Sequence, residues 1–228
     1  MSEFVFDPGP RSAAPISGAA ARFPIRRIYC VARNYAAHAA EMGGDASREP
    51  PFFFQKNPDD ADFSGEFPYP TLSSDGHHEV ELVLALHRGG ADIAEAEATA
   101  CVFGYAVGID MTRRDLQAEA KAAGRPWMAA KAFARSAPMG PIRTAEAIGH
   151  PHSGAISLAV DGEPRQHGDL SEMIWKPAEI IARLSQIATL APGDLIMTGT
   201  PSGVGPIERG QTMQARIDGV GELSVGVV

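Results

Sequence analysis

The sequence predicts a strand-rich chain with three or four helices, and three observations carry that expectation. Glycine and proline are abundant, at 24 and 18 of 228 residues, whereas aromatics make up only 7%. Such a composition favours turns and strands over a helical bundle. Runs of two-residue period recur, the clearest being Val80-Glu81-Leu82-Val83-Leu84-Ala85-Leu86. Asp161-Gly162 and Asp218-Gly219 each sit between two such runs, as hairpin turns do.

Taken in order, residues 1 to 22 are rich in Pro, Ala, Gly and Ser. They read as an extended arm, with a short strand at Glu3–Phe6, ahead of a single domain over 23–228. Ile25 to Ala32 reads as a strand. It runs into a helix from Asn34, a good N-cap, to Gly43, which can end it. Pro51 to Lys56 is a strongly apolar strand, and the turn-rich Asn57 to Thr71 leads back to the strand that starts at Glu79. Ala91 to Ala100 reads as a short helix, and Val102 to Ile109 as a second buried strand. Thr112-Arg113-Arg114-Asp115 has the spacing of a capping box for a helix that stops near Gly124 and Pro126. Ala155 to Gln166 reads as a hairpin, and Pro177 opens a helix striped by Ile180, Ile181, Leu184, Ile187 and Ala188. A closing hairpin pairs Thr212–Ile217 with Glu222–Val227.

The formal charge of −8, with no Lys/Arg run, argues against nucleic acid as a partner. No apolar run approaches the roughly 20 residues that span a bilayer, and the N-terminus lacks the basic start and apolar stretch of a secretory signal. A cytoplasmic protein is expected. Cys30 and Cys101 both lie in apolar runs and read as buried free thiols.

The chemistry concentrates around Glu79 and Glu81. On a strand they face the same way, opposite Val80, Leu82, Leu84 and Leu86. Two glutamates on a strand face are ordinarily solvated. Near a core they repel, and one stays protonated unless a cation sits between them. Asp110, at the end of the second buried strand, is well placed as a third oxygen donor. Such a set suits a hard divalent ion with positions left open for substrate or water. His38 and Glu41 stand at i, i+3 on one helix face: a base and its orienter, or a surface ion pair. Arg114 and Gln117 share a helix face near the carboxylates, and arginine there suits a substrate carboxylate. Arg113 and Lys121 read as ordinary surface residues of that helix. Lys131, alone in an apolar run, either reaches to water or points into a site. Gly199 to Gly205 follows a strand but precedes no helix, so it reads as a ligand-approaching loop and not as a nucleotide cradle.

Five motifs occur in order: Arg33-Asn34-Tyr35-x-x-His38-x-x-Glu41-Met42, His77-His78-Glu79-x-Glu81-Leu82, Asp110-Met111-Thr112-x-Arg114-Asp115-x-Gln117, Lys131-x-Phe133 and Thr198-Gly199-Thr200-Pro201-x-Gly203-Val204-Gly205. With these, the chain from about Ile25 onward resembles the fumarylacetoacetate hydrolase superfamily, and within it the bacterial fumarylpyruvate hydrolases of gentisate catabolism. The resemblance implies an α+β fold, a mixed rolled β-sandwich with flanking helices, and a homodimer. It implies Glu79, Glu81 and Asp110 as ligands of one Mg²⁺ or Mn²⁺ per subunit. His38 and Glu41 are implied as a water-activating dyad on a lid helix, and Lys131 beside the metal. Arg33, Tyr35, Arg114, Gln117, Gly199 and Thr200 are implied as substrate contacts. One departure is Asn57, where relatives continue Gln55-Lys56 with proline.

The expected reaction is metal-dependent hydrolysis of the C–C bond of a 2,4-dioxo acid, a small dicarboxylate such as fumarylpyruvate. Acylpyruvate or maleylpyruvate hydrolysis and oxaloacetate decarboxylation are alternatives on the same site, since each of these reactions passes through pyruvate enolate. A non-catalytic oxo-acid-binding module is the alternative of another class.

Overall fold

The computed structural model describes residues 4–7, 9–41 and 49–228, with the backbone alone for 39–41. Its centre is a six-stranded mixed sheet. In spatial order the strands are Arg143–Thr144, Val102–Ile109, Val80–Leu86, Asp194–Met197, Arg27–Ala32 and Phe52–Lys56. Asp194–Met197 runs parallel to Arg27–Ala32, and the other neighbours are antiparallel. A second sheet of five strands orders Glu163–Asp169, Ala155–Val160, Thr212–Ile217, Gly221–Val227 and Glu66–Phe67. Helices flank the two sheets, so the fold is the expected α+β sandwich.

The alternation in Val80–Leu86 explains how the layers form. Val80, Leu82, Leu84 and Leu86 join the core between the two sheets, with Ile156, Leu158, Met213 and Ile217 from the second sheet. Val83 and Ala85 point the other way, into a core closed by Ala14, Phe23, Met139 and Ile142. All seven residues of the strand are buried. A strand covered on both faces reads as a near-continuous apolar run, which is why Glu81 within it has no solvated side to occupy.

Both expected hairpins form, at Ala155–Val160 with Glu163–Asp169 and at Thr212–Ile217 with Gly221–Val227. The striped helix spans Pro177–Ile187. Cys30 and Cys101 are buried and free. Among the described residues no helix is long and apolar enough to cross a membrane.

Four local expectations differ. The arm is not extended throughout: Ala13–Pro15 pairs with Arg22–Pro24, and Phe23 fills the second core. No strand forms over residues 4–6, the described part of Glu3–Phe6. Asn34 is not an N-cap of the Ala36–Glu41 helix. Its buried amide donates to Thr198 O (2.8 Å) and Trp175 O (2.9 Å) and accepts from Trp175 N (2.7 Å), clamping three chain segments. Thr112 does not cap the Arg114–Ala122 helix either, because its hydroxyl is drawn inward to Lys131 Nζ at 2.6 Å.

Asn34→Ala removes three hydrogen bonds at a buried position and leaves their partners unsatisfied. We expect a loss of about 1–3 kcal/mol of unfolding free energy. Urea denaturation checks it: the midpoint falls and the m-value holds.

Candidate active site

The site lies at one end of the six-stranded sheet because the topology brings several chain segments to that end. Val80–Leu86 begins there and Val102–Ile109 finishes there, with Glu81 opposite Gly108. Asp110 N donates to Glu79 O at 2.8 Å, tying the two segments just beyond the ladder. Asp194–Met197 also finishes there, so Gly199 N reaches Glu81 Oε2 at 2.6 Å. Arg27–Ala32 delivers Arg33 to the same end.

Ligand atoms of Glu79, Glu81 and Asp110 all lie within 4.8 Å of one another. The three residues are 6%, 1% and 0% exposed, so the solvated-face reading of the glutamates is excluded. Two of the carboxylates have cationic partners. Glu79 accepts from Lys131 Nζ (2.9 Å) and from the Arg114 guanidinium (2.5 Å). Asp110 pairs with Lys131 (2.8 Å) and has Lys56 Nζ 2.8 Å from its other oxygen. Glu81 has no ion pair among the described residues; its carboxylate accepts from the Gly199 amide.

The electrostatics follow this partition. Burial opposes charge on Glu79, yet Lys131 and Arg114 hold its carboxyl well below the usual range. Burial, then Asp110 and Glu79, push Glu81 well above it. Lys131 keeps its proton firmly: burial works against the ammonium, but Asp110 and Glu79 outweigh it. Three buried oxygen donors, one of them lacking a cation, fit a hard divalent ion. Glu79, Glu81 and Asp110 would hold it, and its charge would let Glu81 ionise.

An open cleft above the carboxylates is bordered by Arg33, His38, Arg114, Gln117, Lys121 and Thr200, with Phe54 and Trp127 as apolar wall. His38 is buried and close enough to favour the charged form of Glu79. The side chain of Glu41 lies outside the described residues, so its pairing with His38 is not described. Arg33 adopts φ +57°, a left-handed conformation uncommon for a residue other than glycine. The adjacent Asn34 clamp over-determines the backbone there.

Two expected contacts, Tyr35 and Gly199, do not border this cleft. Tyr35 is buried in the main core and borders a separate hollow with His167, Glu172 and Pro201. Gly199 meets Glu81 through its amide. Its φ is +92°, and a Cβ would fall 2.7 Å from Asn34 Cβ, so glycine is needed for the approach itself.

Sequence reasoning missed a supporting layer. Lys56 is fully enclosed, donating to Met111 O, Ser136 Oγ and the Lys131 carbonyl as well as facing Asp110. A lone lysine ending an apolar strand carries the same signal as Lys131, and it was readable. Gln166 carries no such signal. Its carbonyl accepts from Val80 N and faces His78 Nδ1, both at 3.0 Å, while its amide donates to Thr200 Oγ1 (2.7 Å) and Pro201 O. It thus joins the Glu79 strand to the Thr200 loop. His77, between Asp75 (2.8 Å) and Arg114 Nε (3.3 Å), helps aim the guanidinium. Lys121 lies at the cleft and not on a remote surface.

Comparison with known proteins agrees with this geometry. Residues 27–228 match the family described as Fumarylacetoacetate (FAA) hydrolase C-terminal. The structure is similar to that of fumarylpyruvate hydrolase from Pseudomonas aeruginosa in complex with Mn²⁺ and pyruvate, with a TM-score of 0.97 and 52% identity over 99% of both chains. Among curated proteins, the mitochondrial oxaloacetate tautomerase FAHD1 of Arabidopsis thaliana is 42% identical over 88% of this chain and 90% of its own. The oxaloacetate tautomerase YcgM of Escherichia coli is 38% identical over 89% and 93%. With a family match across nearly nine-tenths of its length and a buried carboxylate cluster at the sheet end, the chain belongs to the fumarylacetoacetate hydrolase family.

Proposed function

We propose that the chain is a divalent-metal-dependent hydrolase of 2,4-dioxo acids that cleaves fumarylpyruvate to fumarate and pyruvate. The observation that carries this reading is the 52% identity, over 99% of both chains, to the Pseudomonas aeruginosa fumarylpyruvate hydrolase. The buried triad of Glu79, Glu81 and Asp110 supports it independently. In this reading the enzyme is a cytoplasmic homodimer acting in aromatic catabolism through gentisate.

The residues divide the work. Arg114, beside Glu79, binds the carboxylate of the pyruvyl end, with Gln117 accepting from the guanidinium at 2.6 Å and holding it in place. His38, at the cleft, takes a proton from water; Glu41 is proposed to orient its ring. Hydroxide adds to the C4 carbonyl. The C3–C4 bond then breaks, its electron pair passing to C3 and the C2 oxygen as pyruvate enolate, and a proton is delivered to C3. A carbanion is a poor leaving group, so stabilising that charge is the main task. Lys131, buried and protonated, presents positive charge where it develops. When bound, a Mg²⁺ or Mn²⁺ ion supplies Lewis-acid stabilisation of the same enolate. Thr200, held by Gln166, borders the opposite side.

The names of the curated relatives favour a second reading, tautomerisation of oxaloacetate. It uses the same enolate-stabilising groups but requires no attacking water, so turnover of fumarylpyruvate against oxaloacetate separates the two.

Three outcomes are expected. Protein stripped with EDTA is inactive on fumarylpyruvate. Readdition of Mn²⁺ or Mg²⁺ restores loss of the conjugated enol absorbance, with pyruvate and fumarate released one to one. Turnover of oxaloacetate with none of fumarylpyruvate would move the function to the second reading. Glu81→Gln weakens Mn²⁺ binding in calorimetry by about tenfold or more, on the scale of lost metal-site partners; unchanged affinity would remove Glu81 from the donor set. His38→Ala lowers kcat by a factor of about 10² or more while Mn²⁺ affinity holds. Near-normal hydrolysis in that variant would remove His38 from the mechanism.

A further inference from the structure

Arg114, Gln117 and Lys121 stand at i, i+3 and i+7 along the Arg114–Ala122 helix, which puts them on one face. All three border the cleft. Arg114 is anchored on Glu79 at the inner end and Gln117 is bonded to Arg114, so Lys121 is the outer member of the row. At a rise of about 1.5 Å per residue, it lies roughly 10 Å farther along the helix than Arg114.

The outer end has a distinct chemistry. Lys121 Nζ sits 5.3 Å from the centre of the Trp127 ring. Phe52 and Phe54 pack against that indole, at 5.0 and 5.9 Å between ring centres, and hold it as a flat apolar wall. Among the described residues no carboxylate pairs with Lys121. Its charged neighbours are mainly cations: after burial, Arg114 and Arg33 are what lower its pKa most, with Glu79 acting the other way. A cation among cations, beside a planar wall and open to the cleft, is a place for an anionic group on a flat chain.

The distances match such a ligand. A seven-carbon 2,4-dioxo diacid has six C–C bonds of about 1.5 Å, so its two carboxyl carbons stand roughly 7–8 Å apart when extended. With the first carboxylate at Arg114, the second arrives at the reach of Lys121, and the conjugated acyl segment between them lies against Trp127.

We infer that Lys121, standing over Trp127, determines specificity by binding the distal carboxylate of a dicarboxylate substrate. This rests on the hydrolase reading above and goes beyond it by assigning how the enzyme distinguishes an acidic acyl group from a neutral one. Acetylpyruvate, which keeps the pyruvyl end and lacks the distal carboxylate, does not use the residue.

The test compares fumarylpyruvate with acetylpyruvate on Mn²⁺-loaded protein, wild type against Lys121→Met and Lys121→Arg. Lys121 is on the surface of its helix, so neither variant disturbs the core. Lys121→Met raises KM for fumarylpyruvate by about tenfold, the scale of one charge-assisted contact, and moves KM for acetylpyruvate by less than about twofold. Lys121→Arg recovers most of the loss. Fumarate as product inhibitor weakens in parallel with the fumarylpyruvate KM in Lys121→Met. Equal changes with both substrates, or none with either, overturn the inference and leave the hydrolase reading standing. A wild type that cleaves neither substrate overturns both.

Discussion

The rest of the site depends on the cost of burying three carboxylates together. Moving one such charge out of water costs several kcal/mol even after relaxation. Glu79, Glu81 and Asp110 are nearly sealed from solvent and within 4.8 Å of each other. Lys131 bridges Glu79 and Asp110, Arg114 adds to the first and Lys56 faces the second. These cations answer two of the three negative charges. Glu81 is the remainder: burial first, then the neighbouring Asp110 and Glu79, raise its pKa. Three carboxylates so close together fit a divalent cation between them.

That constraint organises the layers outside it. Lys56 and Lys131 are enclosed, and Lys56 is satisfied by the carbonyls of Met111 and Lys131. Gln166 reaches from the second sheet to fix both Val80 N and the Thr200 hydroxyl. Asn34 ties the Arg33 turn to the end of the Asp194–Met197 strand. These amides hold loops at the sheet end in one arrangement, which keeps Gly199 against Glu81 and Arg33 at the cleft. Outside this polar framework the cleft changes character, from a floor of carboxylates and their cations to the Trp127 wall and the lysine above it.

Much of the fold was legible. Periodicity and turn dipeptides located both hairpins, the striped helix and the buried strands, because those signals are local and the tertiary structure does not oppose them. Errors fell where a local signal met a stronger distant partner. Asn34 and Thr112 have good capping chemistry, but one is drawn to Trp175 and Thr198 and the other to Lys131. The carboxylates, Arg114 and Lys131 stood out because such residues in or beside apolar runs need partners. Gln166 and Lys121 did not, since a glutamine in a hairpin and a lysine on a helix are ordinary on a surface.

By itself the sequence determined which segments pair locally, that two glutamates share a strand face, and which motifs place the chain in its family. Periods of two and 3.6 residues are properties of neighbouring residues, and they survive without knowledge of the whole. Only the tertiary structure decided that both faces of Val80–Leu86 are covered, and so that Glu81 is buried. It alone decided which cations reach which carboxylate, and that Lys121 faces the cleft. Those outcomes depend on contacts between segments up to more than one hundred residues apart, such as Gly199 with Glu81, and no local pattern encodes the distance between them.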